Sequence, residues 1–396
     1  MSASIDLLVG GGGPGGAAVA ILAAEAGLHV LVAERERFPR GKVCGEFVSA
    51  EGCRVLERLG VLASLVGSDA RWIDSCAIVA GKRARIEAPL PDLGGGRRAG
   101  IGVSRELLDR VLLDRARASG ATVLERHSVA PLDVGARTLG ASVRRVGADR
   151  PGERIDARVI VAADGRASAF AGRGAGRPRR PTRDRSWFGL QVHLHEASAA
   201  LDRRVELHAF DGGYAGLCAV EEQRINACLL VRVGALRAAG GDPARLFAER
   251  VLVEPSVRGA VGQAEPCSAW HAVGPLHWGV ARPAARGILF VGDAAGTIDP
   301  LCGEGMSHAL RAAELALPHI VRAAEMGGLD PRIERAYACA WRGEFRTATR
   351  RARALGSILE RRPLARVVLG TLALGAAPLA RPLVAWSRTG VPAARS

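Results

Sequence analysis

Apolar and polar positions near the start of the chain follow the periods of strands and helices in turn. Residues 5–9 form an apolar run that ends in glycines, and residues 17–27 then have the composition of a buried helix. Residues 29–35 form a second apolar run. This order predicts a strand, a glycine-rich turn, a helix and a second strand.

The later pattern predicts more of the same α/β frame, interrupted once. Ser104 can cap a helix that Gly120 would end, and the runs 157–164 and 287–296 are typical of buried strands. A helix is predicted from about residue 304 to about 324. Between residues 186 and 232, four strand-like segments separated by turns predict an antiparallel sheet inserted into the frame.

Composition narrows the class of protein without naming it. The 396 residues are 48% hydrophobic and 24% charged, which is typical of a folded chain with a large core and two domains. The net charge of +15 comes almost entirely from arginines spread along the chain, and no nucleic-acid motif accompanies them. We therefore expect a solvated basic surface and no nucleic-acid partner.

The cysteines and both ends of the chain indicate a location. The eight cysteines show no CxxC pair and no zinc-type spacing, so we expect no metal site and a reducing compartment. No signal peptide is apparent at the start, and the expected location is cytoplasmic. The charge-free run 367–380 is too short to span a membrane, which needs about 20 residues. It predicts either a helix packed on the protein or a peripheral membrane contact.

The first glycine-rich turn carries the first candidate chemistry. Gly11, Gly13 and Gly16 have GxGxxG spacing between a predicted strand and a predicted helix. Such glycines allow a tight turn and a close approach of the backbone to a pyrophosphate, which the helix N-terminus attracts. Glu34 ends the next strand, where a carboxylate can accept hydrogen bonds from ribose hydroxyls. Together they predict a dinucleotide site.

A second segment, "LFVGDAAGTIDPLCGEGMSHALRAAELA", identifies the dinucleotide by resemblance. With the first turn and the "VAADGRAS" segment, it resembles the flavoproteins that include para-hydroxybenzoate hydroxylase and the geranylgeranyl reductases. The resemblance covers most of the chain to about residue 325, and only loosely the inserted sheet. It implies bound FAD, with NAD(P)H as a transient reductant because no second glycine motif is present.

The resemblance also implies a fold and a set of site residues. The fold is α/β: a Rossmann-like FAD-binding domain (1–75, 100–180 and 280–330), an inserted antiparallel substrate-binding sheet (76–99 and 181–279) and C-terminal helices (331–396). Asp293 would hold the ribityl chain, and the loop after it would run against the flavin ring. The implied cofactor-binding residues are Gly11, Gly13, Gly16, Glu34, Arg105, Asp164, Gly165, Gly292, Asp293, Pro300, Gly303, Gly305 and Met306.

Cys44 is the candidate catalytic residue. The segment "FPRGKVCGE" resembles the part of geranylgeranyl reductases that passes close to the flavin, so Cys44 would line the substrate cavity, with Cys302 as a second thiol. It is either a small packing residue or a proton donor. Glu46 is either a proton carrier or a surface acid. Tyr214 is a second candidate for the cavity wall.

Three functions fit these observations. The first is an NAD(P)H-dependent monooxygenase that hydroxylates a hydrophobic aromatic or polyketide-like molecule of secondary metabolism. The second is a geranylgeranyl-reductase-like enzyme that reduces C=C bonds of an apolar substrate. The Cys-Gly-Glu segment favours this one, although the inserted sheet lacks the aromatic and Phe-Pro signature of that family. The third is a non-catalytic flavin carrier. We expect the monooxygenase.

Overall fold

The computed structural model describes residues 5–81, 84–91, 99–134, 137–170, 186–195, 201–276, 279–280, 283–297 and 303–359. The helices are α1 (Pro14–Glu25), α2 (Ala50–Arg58), α3 (Leu62–Gly67), α4 (Arg105–Ala118), α5 (Val233–Ala238), α6 (Pro243–Leu246), α7 (Pro255–Val261), α8 (Gly305–Glu325) and α9 (Pro331–Leu359). A π-helical turn follows α6 at Phe247–Val251, and a 3₁₀ turn lies at Gly292–Ala294.

The strands of the first half are β1 (Ile5–Gly10), β2 (Val30–Glu34), β3 (Phe47–Ser49), β4 (Arg71–Ile73), β5 (Ser75–Val79), β6 (Arg85–Pro89), β7 (Gly100–Gly102), β8 (Thr122–Glu125), β9 (His127–Val134), β10 (Arg137–Arg145), β11 (Glu153–Ile155) and β12 (Ala157–Ala162). Those of the second half are β13 (Trp187–His195), β14 (Arg204–Phe210), β15 (Gly213–Val220), β16 (Arg224–Arg232), β17 (His271–Leu276), β18 (Gly279–Val280), β19 (Ala284–Ala285), β20 (Ile288–Phe290) and β21 (Gly296–Thr297).

A six-stranded sheet in the order β19-β20-β12-β1-β2-β8 forms the centre of the nucleotide-binding half. Its strands are parallel except for β19, and its inner strands are apolar on both faces. Buried parallel strands of this kind need a helical cover, which α1 supplies together with α4 and α8. The predicted Rossmann-like sheet is therefore confirmed.

The second large sheet has the order β17-β13-β16-β15-β14-β5-β6 and is antiparallel except where β14 meets β5. Side chains alternate across it, as the period of two requires. On β13, Leu190 and Val192 pack beneath α5, α6 and α7, whereas Gln191 and His193 point to the nucleotide-binding half. The predicted inserted sheet is confirmed. The exact domain boundaries stay a prediction.

Several local predictions are also confirmed. The Ser104 hydroxyl caps α4 by accepting the Leu107 N–H at 3.1 Å, and Gly120 follows the helix with a φ of +98°. The helix predicted near residue 304 is α8, which α9 then covers. Within the described ranges, no helix has the length and apolar character needed to cross a membrane. The run 367–380 lies outside them.

Candidate functional site

The turn between β1 and α1 leaves a helix N-terminus open. Gly11 has a φ of +104°, and a Cβ there would lie 2.5 Å from the Ala163 carbonyl oxygen, so a side chain does not fit. Gly16 packs directly on the Gly11 carbonyl. Gly13 is the N-cap of α1, and no side chain caps this helix. The free N–H groups of its first turn are therefore available to an anion.

Glu34 is held at the end of β2 by the same turn. Its Oε2 accepts the Gly12 N–H at 2.7 Å, and its Oε1 accepts the Glu36 N–H at 2.8 Å. The carboxylate is buried, and each of its oxygens retains acceptor capacity. This fixed, buried carboxylate suits vicinal hydroxyl groups.

Two neighbouring cavities extend from this turn. The larger, of about 510 Å³, is lined among others by Gly11, Gly13, Glu34, Arg40, Lys42 and Asp164. The smaller, of about 160 Å³, is lined among others by Gly13, residues 42–47, Arg105, Gly165, Gly292, Asp293, Gly303, Gly305 and Met306. Gly13, Lys42 and Ala163 line both. The two cavities therefore suit the two ends of one long ligand.

Two guanidinium groups converge where the cavities meet. A Cβ on Gly13 would lie 3.9 Å from a terminal nitrogen of both Arg40 and Arg105. Asp109, fully buried on α4, holds both: its Oδ2 lies 2.6 Å from Arg105 and 3.1 Å from Arg40. Burial lowers the pKa of Arg40, although Asp109 opposes it. At Arg105 burial acts in the same direction, but Asp109 and Cys44 together outweigh it, and the pKa is raised. Two cations share one carboxylate, which leaves net positive charge for a phosphate group.

Lys42 and Asp293 face the second cavity. Burial, and then the nearby Arg105, lower the pKa of Lys42, whose Nζ lies 3.4 Å from the Cβ position of Gly165. Asp293 is half-buried, with its Oδ2 3.7 Å from Arg166 Nε. The N-terminus of α8 at Gly305 and Met306 forms another part of this wall. The wall thus offers a carboxylate for hydroxyl groups and a helix dipole for negative charge.

The Cys44 turn closes the second cavity from the sheet side. The Cys44 N–H donates to Gln191 Oε1 at 3.1 Å, and Asn226 Nδ2 donates to the Cys44 carbonyl at 2.9 Å. The Cys44 sulfur accepts the Glu46 N–H at 3.4 Å and is hydrogen-bonded to Arg105. Burial raises the pKa of the thiol, and Arg105 offsets only part of that rise. Cys44 is therefore a protonated thiol at neutral pH.

Glu46 is buried rather than at the surface. It has a φ of +53°, is 1% exposed, and its Oε1 accepts the Arg105 N–H at 3.0 Å. Its Oε2 lies 2.7 Å from Nε2 of His193 on β13. The interpretation of Glu46 as a surface acid is wrong, because the Cys44 turn folds back between α4 and the large sheet.

Residues 4–322 match the FAD binding domain family. The chain belongs to this family. It is an FAD-dependent oxidoreductase, and NAD(P)H is the reductant typical of such enzymes. A digeranylgeranylglycerophospholipid reductase of Methanopyrus kandleri is 30% identical to it over 92% of each chain. A menaquinone reductase of Mycolicibacterium smegmatis is 28% identical, over 80% of this chain and 76% of the relative.

The fold is similar to that of a flavin-dependent brominase, with a TM-score of 0.80. The two chains are 17% identical, and the match covers 98% of this chain and 96% of the brominase. At that identity the likeness concerns the fold alone.

The residues present fit FAD. In the larger cavity, the Glu34 carboxylate suits the hydroxyl groups of an adenosine ribose. Where the two cavities meet, the N-terminus of α1 and the guanidinium groups of Arg40 and Arg105 suit a pyrophosphate. The smaller cavity has Asp293 and the start of α8 for the flavin half. An FMN-only site would leave Glu34 and the larger cavity without a ligand.

The structure brings most of the predicted residues to these cavities. Gly11, Gly13, Glu34 and Asp164 line the larger one, and Cys44, Arg105, Gly165, Gly292, Asp293, Gly303, Gly305 and Met306 line the smaller one. Gly16 lies within α1 and lines neither cavity, but its contact with the Gly11 carbonyl keeps the turn tight. Pro300 and Cys302 lie outside the described residues. Tyr214 is buried in the apolar layer on the same face of the large sheet as Gln191, but lines neither cavity.

Sequence reasoning missed Asp109 and His193 as site residues. Asp109 lies four residues after Arg105, so the i,i+4 spacing on a helix contained the signal. His193 lies 147 residues from Glu46, and nothing local in the sequence joins them.

Proposed function

We propose that the enzyme is a reductase that transfers two electrons from FAD to a C=C bond of an apolar, prenyl-type small molecule. One observation carries the proposal: residues 42–46, in the segment that resembles geranylgeranyl reductases, all line the smaller cavity, at the end away from Glu34. The names of both relatives, a digeranylgeranylglycerophospholipid reductase and a menaquinone reductase, support it. Both are enzymes, so the flavin-carrier hypothesis has no support.

In this proposal the chain holds FAD along the two cavities. Glu34 accepts the adenosine ribose hydroxyls, and the α1 N-terminus at Gly13 binds the pyrophosphate with Arg40 and Arg105. Asp293 accepts a hydroxyl of the ribityl chain. The start of α8 stabilises negative charge on the reduced ring through its unpaired N–H groups.

Reduction of a double bond needs a hydride equivalent at one carbon and a proton at the other. FAD bound in the two cavities would supply the hydride equivalent after NAD(P)H has reduced it. The Cys44 thiol is a suitable proton source, because it is protonated and lines the cavity. Arg105 stabilises the thiolate left behind, and solvent returns the proton before the next turnover.

An apolar layer adjoins the Cys44 turn and suits a hydrophobic substrate. Phe47 lines the smaller cavity and packs in a buried cluster with Trp187, Tyr214 and Leu230 of the large sheet. Such a wall excludes water and binds hydrocarbon in proportion to the area covered. In the proposed enzyme, Tyr214 contributes to this wall.

The test is anaerobic turnover with a geranylgeranyl-bearing glycerophospholipid and dithionite-reduced enzyme. The proposal expects products that gain pairs of hydrogens, detected by mass spectrometry. The monooxygenase expected from the sequence predicts no product without oxygen, and an added oxygen atom when isotopically labelled oxygen gas is admitted. Oxygen-dependent products alone, in this lipid or in an aromatic substrate, would overturn the reductase proposal.

A further inference from the structure

The Glu46–His193 pair links three elements behind the proposed flavin site. Glu46 belongs to the turn that carries Cys44. Its carboxylate accepts a hydrogen bond from the backbone N–H of Arg105, the first residue of α4. The same carboxylate bonds His193 of the large sheet at 2.7 Å. Both residues are almost fully buried, at 1% exposure for Glu46 and 6% for His193. A buried carboxylate between two fixed partners has little freedom to move.

The backbone at Glu46 needs this support. A φ of +53° is unfavourable for a residue with a long side chain, and it persists only when surrounding contacts determine it. Just before Glu46, the Cys44 backbone makes two neutral hydrogen bonds to the sheet: its N–H donates to Gln191, and its carbonyl accepts from Asn226. The hydrogen bond between Glu46 and His193 joins charged groups, so it is stronger than the neutral hydrogen bonds that Gln191 and Asn226 make with Cys44.

We infer that His193 is a positioning residue of the flavin site, which acts through Glu46 to set the place of the Cys44–Gly45 turn against the ring. The inference rests on the proposed function, because it requires the ring to lie in the smaller cavity. His193 itself lines neither cavity, so its effect is transmitted by Glu46.

The charge of the Glu46–His193 pair depends on pH, because His193 gains or loses a proton. Burial lowers the pKa of His193, but the hydrogen bond and charge of Glu46 outweigh burial and raise it above the ordinary 6.5. The charged pair is therefore complete at low pH and loses its imidazolium as the pH rises through a midpoint above 6.5. The charged groups around the pair are Glu106 and Arg105 of α4 and Arg224 of β16, and the nearby thiols are those of Cys44, Cys218, Cys228 and Cys267. Burial raises the pKa of the four thiols, so they stay neutral in this range.

The experiment compares the parent with His193→Gln, and with His195→Gln as a matched control. Gln can still donate a hydrogen bond to Glu46 but carries no charge at any pH, and His195 is exposed at the end of the same strand. The readout is the visible absorption of bound FAD, followed from pH 5.5 to pH 9, with FAD affinity measured at each pH.

We expect one spectral titration with a midpoint above 6.5 in the parent and in His195→Gln, and its loss in His193→Gln. A parent spectrum that does not titrate, or a titration that survives in His193→Gln, overturns the inference. Glu46→Gln, a second variant, distinguishes loss of the charged pair from misfolding. It should remove the same titration, while its thermal unfolding stays cooperative. A parent that does not bind FAD at all would instead contradict the proposed function, which keeps the two failures distinct.

Discussion

At the scale of single residues, the site separates groups that bind from groups that orient. Glu34 and Asp293 offer acceptors to the cavities. Asp109 lines neither cavity and binds two arginines, and both carboxylate oxygens of Glu46 are taken up by Arg105 N–H and His193. A buried carboxylate of the second kind fixes the charge and direction of its partner. The two kinds of residue should therefore respond differently to substitution.

Glu34→Ala should weaken FAD binding about ten- to 150-fold, the equivalent of about 1.5–3 kcal/mol for hydrogen bonds to a charged group. Glu34→Gln should lie between this variant and the parent, because it keeps acceptor capacity. Fluorescence titration of the apoprotein measures both, with the exposed Glu153→Ala of β11 as control. Equal affinity in all four proteins, or release of FMN instead of FAD from the parent, would contradict this role.

Cys44→Ala should lower product formation about 100-fold or more, the range of a lost general acid, while FAD binding and flavin reduction stay close to the parent. Cys44→Ser should be intermediate, because a hydroxyl is a weaker acid of similar size. Stopped-flow reduction and product analysis separate the two steps. The control is the exposed Cys339→Ala on α9. Unchanged turnover in Cys44→Ala would leave the thiol a packing residue.

Asp109→Asn should cost about 3–5 kcal/mol of unfolding free energy without FAD, because the buried guanidinium group of Arg105 and the partly buried one of Arg40 lose their shared counter-charge. Saturating FAD should recover part of this loss, since its pyrophosphate supplies negative charge at the same place. Urea unfolding without FAD measures the loss of stability, and urea unfolding with saturating FAD measures how much of it is recovered. Asp114→Asn on the same helix, in an exposed pair with Arg117, should cost about 0–1 kcal/mol. A deficit that FAD does not change would refute the shared anion site.

At the scale of elements, β14 carries a polar cluster on the outer face of the large sheet. Glu206 bonds His208 at 2.8 Å through one oxygen, and Arg85 and Arg204 through the other. His208 in turn lies 3.1 Å from the hydroxyl of Ser256 on α7. These charge-assisted bonds tie β14 to β6 and to α7, and they make this strand sensitive to acid.

Burial raises the pKa of Glu206, but His208 and Arg85 outweigh it and lower the pKa from 4.5 to about 2. The stabilisation is therefore complete above pH 4.5 and is lost as the pH falls towards 2. The gap in unfolding free energy between the parent and Glu206→Gln should narrow over that range. Urea unfolding at several pH values tests this, with the exposed Glu153→Gln of β11 as control. A gap that is constant with pH would contradict it.

At the scale of the whole molecule, local signals predicted what lies within one element or one turn. Gly11, Glu34 and Ser104 act on residues close in sequence, so their roles follow from spacing and strand ends. Glu46 and His193 meet only because the inserted sheet folds over the Cys44 turn. Periodicity predicts that His193 lies on one face of a strand but not what that face meets, and so the pair could not be predicted.

The order of strands in the central sheet has a consequence for synthesis on the ribosome. β12 ends at Ala162 and pairs with β1 on one side, but its other neighbour, β20, begins only at Ile288, 126 residues later. Until then β12 is an open edge able to pair with other chains. Nascent chains stalled between β12 and β20 should therefore be degraded by added protease, and chains released after α8 should resist it. Equal resistance of both would show that the nucleotide-binding half closes before its last strand has been made.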